Sequence, residues 1–230
     1  MIQLRIPLLL INFKNYPEVL GDGSVKLSKI AESVAKNLNV EIIIAPPIPS
    51  LALITKSVSI PVFAQHVDSD KMGSTTGAIV PEVIKSIGCA GSLINHSEKR
   101  IPTLKIQEIV NRFKKLEMYS MVCARTPDEV ALFASYAPDF IAIEPPELIG
   151  SGIAVSKARP EVITESIKAV MKVNKNVKVI CGAGIVNKDD VDAALRLGSL
   201  GVLVASGIVK SPNWEEKIKE LAEPLTRYKI

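Results

Sequence analysis

Aromatic side chains are scarce in this sequence. They make up 4% of its 230 residues, with a single tryptophan. Its core must rest on Ile, Val, Leu and Ala, which suits packed parallel strands with helices around them. Cysteine is equally thin. Cys89, Cys123 and Cys181 form an odd, widely spaced set with no CxxC pair. That excludes a zinc ribbon or a disulfide framework and fits reduced thiols in an intracellular protein. With only His66 and His96 as imidazoles, no metal site is expected. No GxGxxG or Walker-type motif is present, so neither a bound nucleotide nor another cofactor is indicated. Charge is not concentrated either. The net charge of +4 comes from scattered lysines, without the basic block and stacking aromatics of a nucleic-acid surface. A small anionic substrate remains compatible. No apolar run approaches the roughly 20 residues of a membrane span. The run Ile6–Ile11 lacks a small-residue cleavage site and reads as a buried strand, not a signal core. A cytoplasmic location is expected.

What is present is an ordinary globular balance, 47% hydrophobic and 23% charged, and so not a disordered chain. Short apolar runs alternate with stretches whose apolar residues recur every three or four positions. The pattern predicts strands over Leu8–Asn12, Glu41–Ala45, Val62–Gln65, Gly91–Asn95, Ser120–Cys123, Phe140–Ile143, Val177–Cys181 and Gly201–Val204. It predicts helices over Ser24–Asn37, Pro49–Ser57, Pro81–Ser86, Thr103–Leu116, Pro127–Tyr136, Arg159–Val173, Lys188–Leu197 and Asn213–Leu225. Thr103 and Thr126 are placed as N-caps, and Pro81 in a first turn. Strict alternation implies a parallel sheet. Eight strand–helix units in this length imply an α/β fold, a closed (β/α)8 barrel of eight parallel strands. A doubly wound open sheet would show a Gly-rich turn after the first strand, where this chain has Asn12-Phe13-Lys14. No linker or composition shift divides the chain, so residues 1–230 are expected to form one domain.

In such a barrel, active groups lie at the C-terminal strand ends and the loops that follow. Polar residues collect there: Asn12 and Lys14 after the first strand, Asn95, His96, Ser97 and Glu98 after the fourth, Glu144 after the sixth. Taken singly, Lys14 reads as a solvated lysine, His96 as a satisfied structural histidine and Glu144 as half of an ion pair. Convergence on one face changes that reading. Glu144 directly follows Phe-Ile-Ala-Ile, and partial desolvation there would raise its basicity. Gly182-Ala183-Gly184 and Ala205-Ser206-Gly207 are common turn sequences whose plain role is close packing. After strands seven and eight, however, they sit where phosphate binds in this fold, and small residues let backbone N–H groups approach its oxygens.

Three segments carry a resemblance. Asn12-Phe13-Lys14, Leu93-Ile94-Asn95-His96-Ser97-Glu98, and Ile143-Glu144-Pro145-Pro146-Glu147-Leu148-Ile149-Gly150-Ser151-Gly152 resemble, in order, segments of the triosephosphate isomerase family. The likeness runs along nearly the whole chain. It implies the interconversion of dihydroxyacetone phosphate and glyceraldehyde 3-phosphate, in glycolysis and gluconeogenesis. It implies Glu144 as general base, His96 as electrophile, and Lys14 with Asn12 and Phe13 at the substrate. Asn95 and Glu98 would support that cluster. Main-chain groups of Ile149, in a mobile lid, and of Gly184, Ala205 and Ser206 would hold the phosphate. Pro145-Pro146 would stiffen one end of the lid, and Gly150 and Gly152 would bend the other.

The chain departs from the commoner long form by being shorter and by ending strand seven Cys-Gly-Ala-Gly, without the Tyr and Ser that latch that form's lid. Both departures resemble the short archaeal branch. That implies a homotetramer instead of a dimer, with loop His66–Gly77 as the interdigitating subunit contact. Two other readings remain. One is a sugar-phosphate barrel enzyme of another kind, such as an aldolase with Lys14 as Schiff-base nucleophile. The other is a non-catalytic barrel that binds phosphate metabolites.

Overall fold

The computed structural model describes residues 3–145, 148 and 154–228. Its strands are β1 (Leu8–Asn12), β2 (Glu41–Ala45), β3 (Phe63–Ala64), β4 (Gly91–Ile94), β5 (Tyr119–Ala124), β6 (Phe140–Ile143), β7 (Lys178–Cys181) and β8 (Gly201–Val204). They form one sheet in the order β2-β1-β8-β7-β6-β5-β4-β3, and every pairing is parallel. A parallel bridge between Ile44 and Val62 joins the two ends. The result is a nearly closed α/β barrel. Closure is thin at that point because Pro61, which supplies a carbonyl to Ile44 N–H at 3.1 Å, has no N–H of its own to give. The strand β3 is shorter than the predicted Val62–Gln65, with Val62 making only an isolated bridge to Ile44.

The helices are α1 (Asp22–Leu38), α2 (Leu51–Ser57), α3 (Pro81–Ser86), α4 (Thr103–Lys115), α5 (Pro127–Ala134), α6 (Val155–Ala158), α7 (Pro160–Val173), α8 (Lys188–Arg196), α9 (Ser206–Val209) and α10 (Trp214–Ala222). Most predicted helices appear within a few residues of their expected bounds. The exceptions have local causes. The stretch before α2 winds as a 3-10 turn over Ile48–Ser50. Thr126 caps α5 as expected, accepting Glu129 N–H at 3.2 Å. Thr103 does not cap α4. Pro102 holds the N-cap position and Thr103 lies inside the first turn. The four-residue helices α6 and α9 were not anticipated, because four residues are too few to show a period.

Alternation along each strand sorts side chains between two cores. Leu8, Leu10, Ile43, Phe63, Leu93, Met121, Cys123, Phe140, Ala142, Ile180 and Leu203 fill the barrel interior. Leu9, Ile11, Ile42, Ile44, Ile94, Val122, Ile141, Ile143, Val202 and Val204 face the helices. Each fully buried Leu, Ile or Phe contributes about 1.5–3 kcal/mol relative to exposure. The same period of two sets the functional end. One step past the last outward residue of β1 and of β6, the chain places Asn12 and Glu144 on the inward side.

Candidate active site

Glu144 ends β6, its N–H donating to Ala124 O at 2.8 Å. Its side chain is 2% exposed, and Oε2 has no hydrogen-bond partner among the described residues. Burial dominates its electrostatics and pushes its pKa up to about 7, against the opposing influences of the Cys123 thiol and the Lys14 and Arg100 charges. A carboxylate so placed is a proton acceptor poised near neutrality. Gly182 makes room for it. A Cβ on Gly182 would lie 2.5 Å from Glu144 Cγ.

His96 faces Glu144, with Nε2 3.6 Å from Oε1. Its Nδ1 accepts the Glu98 backbone N–H at 3.2 Å. In a neutral imidazole the other nitrogen then carries the proton, so Nε2–H is directed at the gap. Burial first, then the positive charge of Lys14, lowers its pKa to about 4, with Glu98 opposing and Arg100 assisting. The ring is therefore a neutral donor at pH 7.

Lys14 follows β1 in a left-handed turn, φ 50°. Its N–H donates to Asn12 Oδ1 at 3.0 Å, and Nζ bonds Glu98 Oε1 at 2.7 Å. Gln65, just past β3, donates to both Lys14 O (2.9 Å) and Ala45 O (3.0 Å). These bonds fix where the ammonium stands.

Lys14, His96, Glu144, Gly184, Ala205 and Ser206 line one cavity of about 160 Å³ at the C-terminal strand ends, together with Tyr16, Gly182 and Gly207. Asn12, Phe13, Asn95 and Glu98 are not among its lining residues. Asn12 lies buried behind Lys14, and Glu98 is largely exposed at the rim. Phe13 is fully buried in the outer core with Ile11, because the alternation that turns Asn12 inward turns Phe13 toward the helices. Asn95 lies beneath the His96 turn. Ile149, Pro146, Gly150 and Gly152 lie outside the described residues. Among the described residues, no group of three or more His, Cys, Asp or Glu could hold a metal ion, and no helix is long and apolar enough to cross a membrane.

Sequence reasoning missed Gln65, Arg100 and Cys123, and read Gly182 as part of a phosphate turn without its place against Glu144. The Arg100 guanidinium donates to Cys123 O at 3.3 Å and lies 3.7 Å from Glu129. Cys123 lies in the barrel interior, and burial with the neighbouring Glu144 charge holds its thiol well above the ordinary range. Position was the only available signal: Cys123 stands at an inward position near the end of β5, and Gly182 at the inward step after β7.

The family description that matches is triosephosphate isomerase, over residues 7–221. Curated relatives named triosephosphate isomerase include that of Caldivirga maquilingensis, 50% identical, covering 96% of this chain and 99% of the relative. That of Methanocaldococcus jannaschii is 49% identical, covering 93% and 98%. That of Methanothermus fervidus is 44% identical, covering 94% and 97%. With matches of this extent joined to a barrel that aims a desolvated carboxylate at a neutral imidazole, the chain belongs to the triosephosphate isomerase family.

Proposed function

We propose that this chain interconverts dihydroxyacetone phosphate and D-glyceraldehyde 3-phosphate through an enediol(ate), working as a single barrel domain over residues 1–230. The observation that carries the reading is the buried Glu144 carboxylate opposite His96 Nε2 at 3.6 Å, with Lys14 beside them. Glu144 removes the proton from one substrate carbon. The neighbouring carbonyl oxygen becomes a hydroxyl by taking the Nε2 proton of His96, while the Lys14 ammonium offsets the developing negative charge. Protonated Glu144 then returns the proton to the adjacent carbon while the other hydroxyl gives its proton back to His96 Nε2 and becomes the carbonyl. Donors already aimed at a developing oxyanion are worth about 3–4 kcal/mol each. A positioned general base adds on the order of 10²–10⁴-fold. A neutral donor suits the task, since its acidity lies nearer that of an enediol than an imidazolium's does. Main-chain groups of Gly184, Ala205 and Ser206 hold the phosphate, and Ile149 closes over it from the lid.

The Schiff-base alternative needs Lys14 Nζ free to attack a carbonyl, whereas Nζ is engaged by Glu98 Oε1 at 2.7 Å. The protein is read as cytoplasmic and tetrameric. Support for an oligomer comes from loop His66–Gly77, where Met72 is 66% exposed.

A coupled assay for triose phosphate interconversion tests the activity. Glu144→Asp is expected to lower kcat about 10²-fold or more, since a retreat of the base by roughly 1 Å removes that much. Near-normal turnover in that variant would take Glu144 out of its role. Borohydride trapping of substrate on Lys14 would favour the aldolase reading. Light scattering on the same sample decides between dimer and tetramer.

A further inference from the structure

Asn95 carries a backbone feature that most side chains avoid. Its φ is 64°, in the left-handed region, and it is 3% exposed at the end of β4. Asparagine tolerates this conformation better than most residues. Here its amide is fully employed. Nδ2 donates to Cys123 O on β5 at 3.0 Å, and Oδ1 accepts Ile101 N–H at 3.2 Å. The second bond closes the turn from 95 to 101. Inside that turn, Lys99 N–H donates to His96 O at 2.8 Å, and Glu98 N–H donates to His96 Nδ1. The first bond reaches the strand whose Cys123 thiol interacts with Glu144. Arg100 adds a second donor to the same Cys123 carbonyl.

We propose that Asn95 is a positioning residue that sets the separation of imidazole and carboxylate, by tying the turn that holds His96 to the strand that holds Cys123 against Glu144. The proposal rests on reading His96 as electrophile and Glu144 as base. The Asn95 amide bonds Cys123 O and Ile101 N–H and neither reacting side chain. It acts by keeping the left-handed turn closed, so that Glu98 N–H stays on Nδ1 and the Nε2 proton points at the cavity. The charged or titratable groups facing the imidazole are Lys14 from after β1, Glu144 from after β6, and Glu98 and Arg100 from its own turn.

Asn95→Gly accepts the same φ and removes both amide bonds. It is expected to lower kcat about tenfold or more while KM moves less than about threefold, the mark of a reacting pair shifted by a fraction of an ångström. Nitrogen NMR of the imidazoles gives a second readout. The chain has two histidines, and His66→Gln assigns them. Once Glu98 N–H is free to leave Nδ1, the His96 titration should move up by roughly one pH unit toward its ordinary value. Asn95→Asp serves as the milder variant. It keeps an acceptor for Ile101 N–H and a residue at ease in the turn, but places an acceptor against Cys123 O. It should remain folded and also lose about tenfold in kcat.

Unchanged kcat in either variant overturns the proposal. So does a fall in kcat and thermal midpoint with an unmoved His96 titration in Asn95→Gly, because Asn95 would then serve stability alone. If the parent protein shows no isomerase activity, the reading of the whole site fails. The imidazole titration would still report whether Asn95 governs His96.

Discussion

The two ends of the barrel treat their polar groups in opposite ways. At the foot of β5 and β6, Asp139 and Ser120 are reciprocally satisfied. Asp139 Oδ2 accepts Ser120 N–H (2.8 Å) and Oγ–H (2.9 Å), while Ser120 Oγ accepts Asp139 N–H (3.2 Å). Near the start of β8, Ser199 Oγ accepts Cys181 N–H at 2.9 Å and lies 2.6 Å from Gly201 O. At the mouth, Glu144 Oε2, Ser97 Oγ and Arg100 Nη2 are buried without a hydrogen-bond partner among the described residues. An unmet buried polar atom opposes folding by about 1–3 kcal/mol, more when charged. The foot is thus built to minimise free energy. Of those three only Glu144 lines the cavity, so there the mouth leaves its proposed base with an unpartnered oxygen.

The sharpest way to break this contrast is to fill the space the mouth leaves for its base. Gly182→Ala puts a methyl group 2.5 Å from Glu144 Cγ, and its backbone neighbour Ile143 O is only 3.2 Å away. Displacing the carboxylate by roughly 1 Å should lower kcat about 10²-fold, as read in the coupled assay. Retained turnover would mean that Glu144 has slack and that the close fit serves packing alone.

Glu144→Gln tests the contrast through stability. The folded carboxyl has a raised pKa, so it binds its proton more tightly than the unfolded chain does. Deprotonation therefore opposes folding, starting above the ordinary value of 4.5 and reaching its full effect above about 7. That difference corresponds to roughly 3 kcal/mol as an upper figure. The variant should be inactive yet melt higher than the parent at pH 8, with the gap closing toward pH 4.5. A lower melting point at pH 8 would show that the carboxylate is well solvated after all.

The same raised pKa predicts the acid limb of activity. The free enzyme loses its base as pH falls through about 7, so kcat/KM should drop about tenfold per unit below that point and level off above it. A flat profile from pH 5 to 8 would contradict a desolvated base.

The smallest expected effect lies at the foot. Asp139→Ala strips Ser120 of its acceptor and should destabilise the fold by about 1–2 kcal/mol in a denaturant titration, with kcat and KM unchanged. Loss of activity without loss of stability would mean that the two ends are not separable.

How much of this was legible in the sequence depended on the range of the signal. The run Leu8–Asn12 shows its strand locally, and its alternation also fixes that Asn12 turns inward. Glu144 was visible because an acid directly follows four apolar residues. Gln65 was not, because its acceptor Lys14 O lies 51 positions away and nothing near residue 65 announces it. Arg100 and Cys123 are 23 positions apart and meet only after β4 and β5 pair. Phe13 was grouped with Asn12 and Lys14 by adjacency, whereas a strand separates neighbours onto opposite faces. The Thr103 cap failed at short range, since a proline just before it took the cap position.

The seam of the ring between β2 and β3 is fastened in part by a side chain. Between β2 and β3 the backbone offers a lone bridge, and the Gln65 amide crosses that gap at its upper edge to hold Ala45 and Lys14 together. Breathing of the ring will begin there, and the first amides to exchange with solvent will be those beside Ile44 and Val62. Within the arc from β4 round through β8 to β1, the thinnest joint is β7–β8, where Cys181 pairs with Val202 and Cys181 N–H is held by Ser199 Oγ at 2.9 Å. Every strand that delivers a group to the cavity belongs to that arc, so the catalyst keeps its geometry while its hoop flexes at the clasp.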